Sequence, residues 1–281
     1  MSERRLVVTA DDFGAAEAVN EAVEIAHREG VLSAASLMVT GAAAGDAVRR
    51  AREIPSLRVG LHLVLVDGRP CLPADRLPHL TGADGTFRDN MAASGATMFF
   101  NPSARAELAA EIEAQFAAFA ATGLPLDHVN AHKHFHLHPT IAGLILKVGP
   151  RFGLRAVRAP LEPGAPLRRT DPETRVGGDP AALFARTLRA RLRAAGLLAP
   201  DQVFGLRWSG AMTEPRLAGV IRALPPVLSE IYLHPATRND FEGAAPGYRY
   251  AEELAALTSS AVSRALSESG ARLGGFADFA P

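Results

Sequence analysis

Short apolar runs alternate with amphipathic stretches along most of the chain. "RLVVTA" (5–10) has the composition of a buried strand and stops at Asp11-Asp12-Phe13-Gly14. The following "AAEAVNEAVEIAHREG" sets Val19, Val23 and Ile25 or Ala26 on one helical face and ends at Gly30, a common glycine stop. "SAASLMVT" (33–40) and "LRVGLHLVLV" (57–66) predict two more strands, separated by a helix that ends near Pro55. A strong amphipathic helix is expected over 102–123, a strand over 126–132, a helix over 140–153 and a strand over 154–160. The C-terminal part repeats the alternation. It has a helix at 180–196, a strand at 201–208, a helix at 214–224, a strand at 227–235, a helix at 251–270 and a closing run at 271–279.

Strand and helix thus alternate seven or eight times, which implies parallel strands with helices packed outside. At 281 residues, a TIM-like (β/α) barrel, distorted or seven-stranded, fits better than an open doubly wound sheet. The whole of 1–281 reads as one domain. Two polar stretches, 67–101 and 161–180, are expected as loop insertions, and loops of the first one's length are commonly lids.

Composition narrows the function. Lys+Arg and Asp+Glu are both 30, so no basic field favours nucleic acid. No GxGxxG follows the first strand and no GxxxxGK[ST] occurs, so nucleotide fingerprints are missing. Cys71 stands alone, which excludes an intrachain disulfide and a CxxC site. The N-terminal apolar run is too short for a secretory signal and no stretch has the length of a membrane span. The expectation is a cytoplasmic protein, with peripheral membrane contact and a homodimer both compatible.

Candidate chemistry gathers where βα folds place it, at the carboxyl ends of the strands. Asp11 and Asp12 end the first strand, His62 lies toward the end of the third, His132 ends the fourth and His234 a late one. "HVNAHKHFHLHP" (128–139) holds five of the nine histidines. In an extended chain His128, Asn130, His132, His134 and His136 share one face; the strand is expected to break before His136. Singly, Asp11-Asp12 also fits a helix cap and His62 a hydrogen-bonded core residue. Jointly they suggest a metal site of two imidazoles and one carboxylate, Asp12, His62 and His132, with positions open for water and substrate. Asp11 would then be free to act as a base, if the chain bends near Gly14 to bring both carboxylates into the site.

The stretches "TADDFG" (9–14), "VGLHLVL" (59–65), "HVNAHKHFHLHP" and "YLHPA" (232–236) resemble the YdjC-like carbohydrate deacetylases, over nearly the whole chain. The resemblance implies a TIM-like barrel with one divalent metal, Mg2+ or Zn2+, on Asp12, His62 and His132. It also implies a base at Asp11 and a functional histidine at His234. Asn130 departs from the family, where Asp is frequent; the ligands are unaffected, but a charged partner is replaced by a neutral one. The histidine run, with "LRAVRAP" and "LRWSGAM", looks like the branch associated with hopanoid biosynthesis, which implies an N-acetylglucosaminyl hopanoid as substrate and a chito-oligosaccharide as the alternative.

In the deacetylation this implies, His234 would protonate the leaving amine, with His134 or His136 in reserve. Arg158 would hold a sugar hydroxyl or position Asp11. Trp208 would stack on a sugar face or pack in the core, and Asn130, His134 and His136 would line the substrate site. Apolar residues of 67–101 would cover the site or touch a lipid. Two other readings compete: another metal-dependent amidase or esterase on the same barrel, and a non-enzymatic metal carrier.

Overall fold

A computed structural model describes residues 3–178 and 180–280. The elements run β1 (Arg5–Phe13), α1 (Glu17–Glu29), β2 (Ala34–Leu37), α2 (Ala44–Glu53), β3 (Arg58–Leu63), α3 (Met91–Phe100), α4 (Pro102–Ala121) and β4 (Val129–Ala131). There follow α5 (Pro139–Val148), α6 (Gly164–Thr170), α7 (Ala181–Ala194), β5 (Gln202–Phe204), α8 (Glu214–Arg222), β6 (Leu228–Leu233), α9 (Tyr250–Leu257), α10 (Ser260–Ser269) and β7 (Arg272–Leu273).

Six strands pair in the order β4-β3-β2-β1-β6-β5, each pair parallel. The sheet curls and the helices surround it, so the α/β TIM-like expectation holds, in distorted form. Helices on the outside and the barrel interior on the other face explain why β2 is buried at every position, Ser36 included. Residues 154–160 are not a full strand. They span the gap between β4 and β5 through isolated contacts: Val129 N–H donates to Ala156 O, Arg158 N–H to Val129 O and Val203 N–H to Leu161 O. Pro160 cannot donate to a ladder, and β5 is correspondingly shorter than the expected 201–208. The closing run contributes only β7, which pairs with Arg5 and Leu6 of β1 on the edge that β2 leaves free by joining β1 from Thr9 onward.

The two insertions are partly helical, against expectation. Asn90 Oδ1 accepts from Ala93 N–H and caps α3 within 67–101, an N-cap signal that the surrounding polar composition obscured. The second insertion carries α6; its residue 179 lies outside the described residues. Among the described residues no helix is long and apolar enough to cross a membrane.

The barrel interior is polar. Thr9 and Asp11 of β1, Ser36 of β2, His62 of β3, Asn130 of β4 and Glu230 of β6 are all buried and hydrogen-bonded, directly or through Arg158 and His128, across the strands. The alternate positions, such as Val8, Ala10, Leu61 and Ile231, belong to the apolar core under the helices.

Candidate metal centre

The first strand bends at its end. The β1–β2 register slips between Ala10 and Phe13, and Asp12 itself has φ +62°. A non-glycine residue in the left-handed region is uncommon, and Asp tolerates it better than most. This bulge, rather than Gly14 alone, brings two consecutive carboxylates to one recess, lined by Asp11, Asp12 and His234 among others. Gly14 has its own reason: a Cβ there would sit 3.0 Å from Met38 O. Its N–H donates to Asn20 Oδ1, which ties the bend to α1.

Asp12, His62 and His132 come together from three strand ends. Their ligand atoms all lie within 4.8 Å of one another. His62 Nε2 is 3.3 Å and His132 Nδ1 3.2 Å from Asp12 Oδ1, and the two rings stand edge-on at 72°. His62 Nε2 is buried without a hydrogen-bond partner. An orphaned imidazole nitrogen facing a carboxylate and a second imidazole is a donor set that a divalent cation would complete. Burial pushes the Asp12 carboxyl up, but His132 and His62 outweigh it and hold Asp12 well below the usual carboxylate range. Burial depresses His132, yet the Asp12 charge raises it above the ordinary imidazole value. Such mutual stabilisation of opposite charges is the state a cation replaces.

Asp11 is held next to this cluster. Arg158 donates from Nη1 to Asp11 Oδ2 at 2.5 Å and from Nη2 to Oδ1 at 2.9 Å, and Asn130 Nδ2 donates to Oδ1 at 3.0 Å. Burial opposes ionisation of Asp11, but Arg158 dominates and keeps its carboxyl far below the usual range. Arg158 is fully buried. It also donates to Glu230 Oε1, from Nε at 2.9 Å and Nη2 at 2.6 Å, and lies over the Tyr232 ring at 4.5 Å. The buried Arg158 guanidinium is thus engaged by Asp11 and Glu230 within the protein. Glu230, Ser36, Tyr232 and Glu253 were missed in the sequence. A charged residue inside an apolar strand run, as Glu230 is in "VLSEIYL", is the signal that marks it.

The structure corrects the histidine run. β4 ends at Ala131, and Lys133 and His134 both have positive φ, 52° and 55°. The shared face of a strand therefore extends only from His128 to Asn130, and 132–137 is a pair of short turns separated by a left-handed kink at Lys133 and His134. His134 Nε2 is 2.9 Å from Tyr232 Oη. His136 is fully buried with Nε2 donating to Arg158 O, so it does not reach a sugar. Asn130 is likewise buried, with both amide hydrogens donated within the protein. Trp208 is 4 % exposed, donates from Nε1 to Thr174 Oγ1 and has Arg216 over its ring; it packs as a core residue. His234 is partly open, its backbone N–H donating to Glu253 Oε2 and its ring against Tyr248 at 5.1 Å. Its Nδ1 is buried and has no hydrogen-bond partner.

The chain matches the YdjC-like protein family over residues 5–268. A carbohydrate deacetylase of Brevibacillus brevis is 38 % identical over 151 residues, 53 % of this chain and 56 % of that protein. The human carbohydrate deacetylase is 35 % identical over 220 residues, 74 % of this chain and 62 % of its own length. The chain thus spans little more than half the length of the curated relatives it matches. A crystal structure from Enterococcus faecalis, of a protein assigned provisionally to cellobiose-phosphate cleavage, superimposes with a TM-score of 0.77 over 100 % of both chains at 22 % identity, a likeness of fold.

Proposed function

The chain belongs to the YdjC-like family, and from that premise we propose that it is a metal-dependent hydrolase that removes the acetyl group from an N-acetylglucosamine-containing substrate. One observation carries this reading: Asp12, His62 and His132 offer ligand atoms within 4.8 Å of one another beside Asp11, a second carboxylate fixed by Arg158.

A divalent cation held by Asp12, His62 and His132 would supply Lewis acidity toward the acetamide carbonyl and would lower the pKa of water. Two imidazoles and one carboxylate weight the choice toward Zn2+ over Mg2+. Asp11 accepts the proton of the attacking water at a carboxylate oxygen. Its pairing with Arg158 makes it a weak base, which a bound cation would offset by the acidity it would lend to water. Arg158 keeps that carboxylate from rotating away. His234 delivers a proton to the departing nitrogen, because an amide anion is a poor leaving group. The products are acetate and a free amino sugar.

Within this class we favour a glycolipid, an N-acetylglucosaminyl hopanoid, over a free chito-oligosaccharide. Phe99 and Phe100 are 47 % and 77 % exposed, and the Phe99 ring lies 6.2 Å from that of His138 in the histidine run. Exposed aromatics at that edge suit an apolar aglycone or a membrane surface, which is also where a cytoplasmic enzyme would meet such a substrate. Mass spectrometry of both substrates, with and without chelator, tests the proposal. Loss of one acetyl group, abolished by chelator and restored by metal, is expected. Absence of acetate release from every N-acetylglucosamine conjugate would overturn it.

A further inference from the structure

We infer that Asn130 is a positioning residue that dictates which nitrogen of His62 carries the proton, and that a buried chain through Ser36 and His128 to Asp127 locks it in that orientation. Both carboxylate oxygens of Asp11 accept from Arg158, so the Asn130 atom 3.0 Å from Oδ1 must be the amide nitrogen. The amide oxygen of Asn130 then faces His62 Nδ1 at 2.7 Å, and His62 must be protonated at Nδ1. Its Nε2, buried and without a hydrogen-bond partner, is the nitrogen that faces Asp12.

The other hydrogen of Asn130 goes to Ser36 Oγ at 2.9 Å. Ser36 turns its own hydrogen to His128 Nε2, also at 2.9 Å. His128 is thereby protonated at Nδ1, which donates to Asp127 Oδ2 at 2.9 Å. Asp127 is the second obligate acceptor, and it is fixed by the backbone N–H groups of Phe276 and Ala277. With a carboxylate at each end, every proton between them has one place to go. Asp127, His128, Ser36, Asn130, His62 and Asp11 are all buried, so water does not scramble the order.

The sheet makes room for this chain at Gly60. Ser36 of β2 pairs with Gly60 of β3, and the register of β3 and β4 continues to His128 beside it. Ser36 therefore reaches His128 and Asn130 across an intervening strand. A Cβ on Gly60 would fall 2.5 Å from the His128 ring. What the relay does for function rests on the proposed metal centre; its proton order does not.

The test is nitrogen NMR of the metal-free full chain with labelled histidines, together with Zn2+ competition titrations. In the wild type, His62 and His128 should both carry a proton at Nδ1. Ser36→Ala and Asn130→Ala should shift His62 to a mixture of tautomers and weaken Zn2+ binding by about tenfold to a hundredfold, the usual effect of losing a partner of a metal ligand. A His62 with no proton at Nδ1 in the wild type overturns the inference, even if neither variant folds. So does a lowered melting temperature in both variants with the His62 tautomer and Zn2+ affinity unmoved. Failure of the wild type to bind metal would sink the proposed function, while the tautomers are still read directly.

Discussion

Arg158 meets Asp11 in a two-pronged pair, and the same guanidinium also holds Glu230. One buried cation thus serves two buried carboxylates, and the Asp11 side of the arrangement faces the proposed metal centre. Replacing Arg158 with Met leaves both carboxylates without a counter-charge. Denaturant unfolding should show a loss of about 3–5 kcal/mol, the usual cost of breaking a buried pair. Arg158→Lys keeps the charge but loses the fork, so it should fold and turn over more slowly.

Asp11 and Asp12 should separate in function. Asp12→Asn tolerates the left-handed backbone but removes a charged ligand, and His132→Ala removes another; both should abolish metal uptake and deacetylation. Asp11→Asn should retain metal by elemental analysis and lose about two to four orders of magnitude in turnover. Near wild-type turnover in Asp11→Asn would exclude it as the base.

Acid sensitivity should be traceable to His136. Burial, with the Arg158 charge behind it, pushes this imidazole down to about 3. The unfolded chain takes up a proton near pH ~6.5, whereas the folded chain does not until about 3. Stability is therefore complete above the unfolded value and falls with pH through that window, at up to about 1.4 kcal/mol per pH unit. His136→Gln should flatten the slope of unfolding free energy between those limits; an unchanged slope would assign it elsewhere.

Trp208 should behave as packing. Trp208→Ala should lower stability by about 3–5 kcal/mol, while Trp208→Phe should leave KM for the acetylated sugar nearly unchanged. A large rise in KM with Phe would mean that the ring meets substrate after all.

Much of this was legible because βα folds sort chemistry to strand ends. Asp12, His62 and His132 stand out as polar residues closing or interrupting apolar runs, and the structure brings their ligand atoms together. The backbone at 132–134 was not legible, since Lys133 and His134 are not residues that signal left-handed turns. The polar interior was missed for a different reason. Ser36 and Glu230 acquire meaning only from partners far along the chain, His128 at 92 positions and Arg158 at 72, and local patterning carries no register between distant strands.

The kink at Asp12 has a consequence for any attempt to redesign this centre. Which carboxylate grips and which one stands by is written in the main chain, through a left-handed residue and a slipped register. Swapping side-chain lengths at the two positions would alter reach without exchanging their duties. Transplanting the pair onto a regular strand of another barrel would send one of them outward, under the helices.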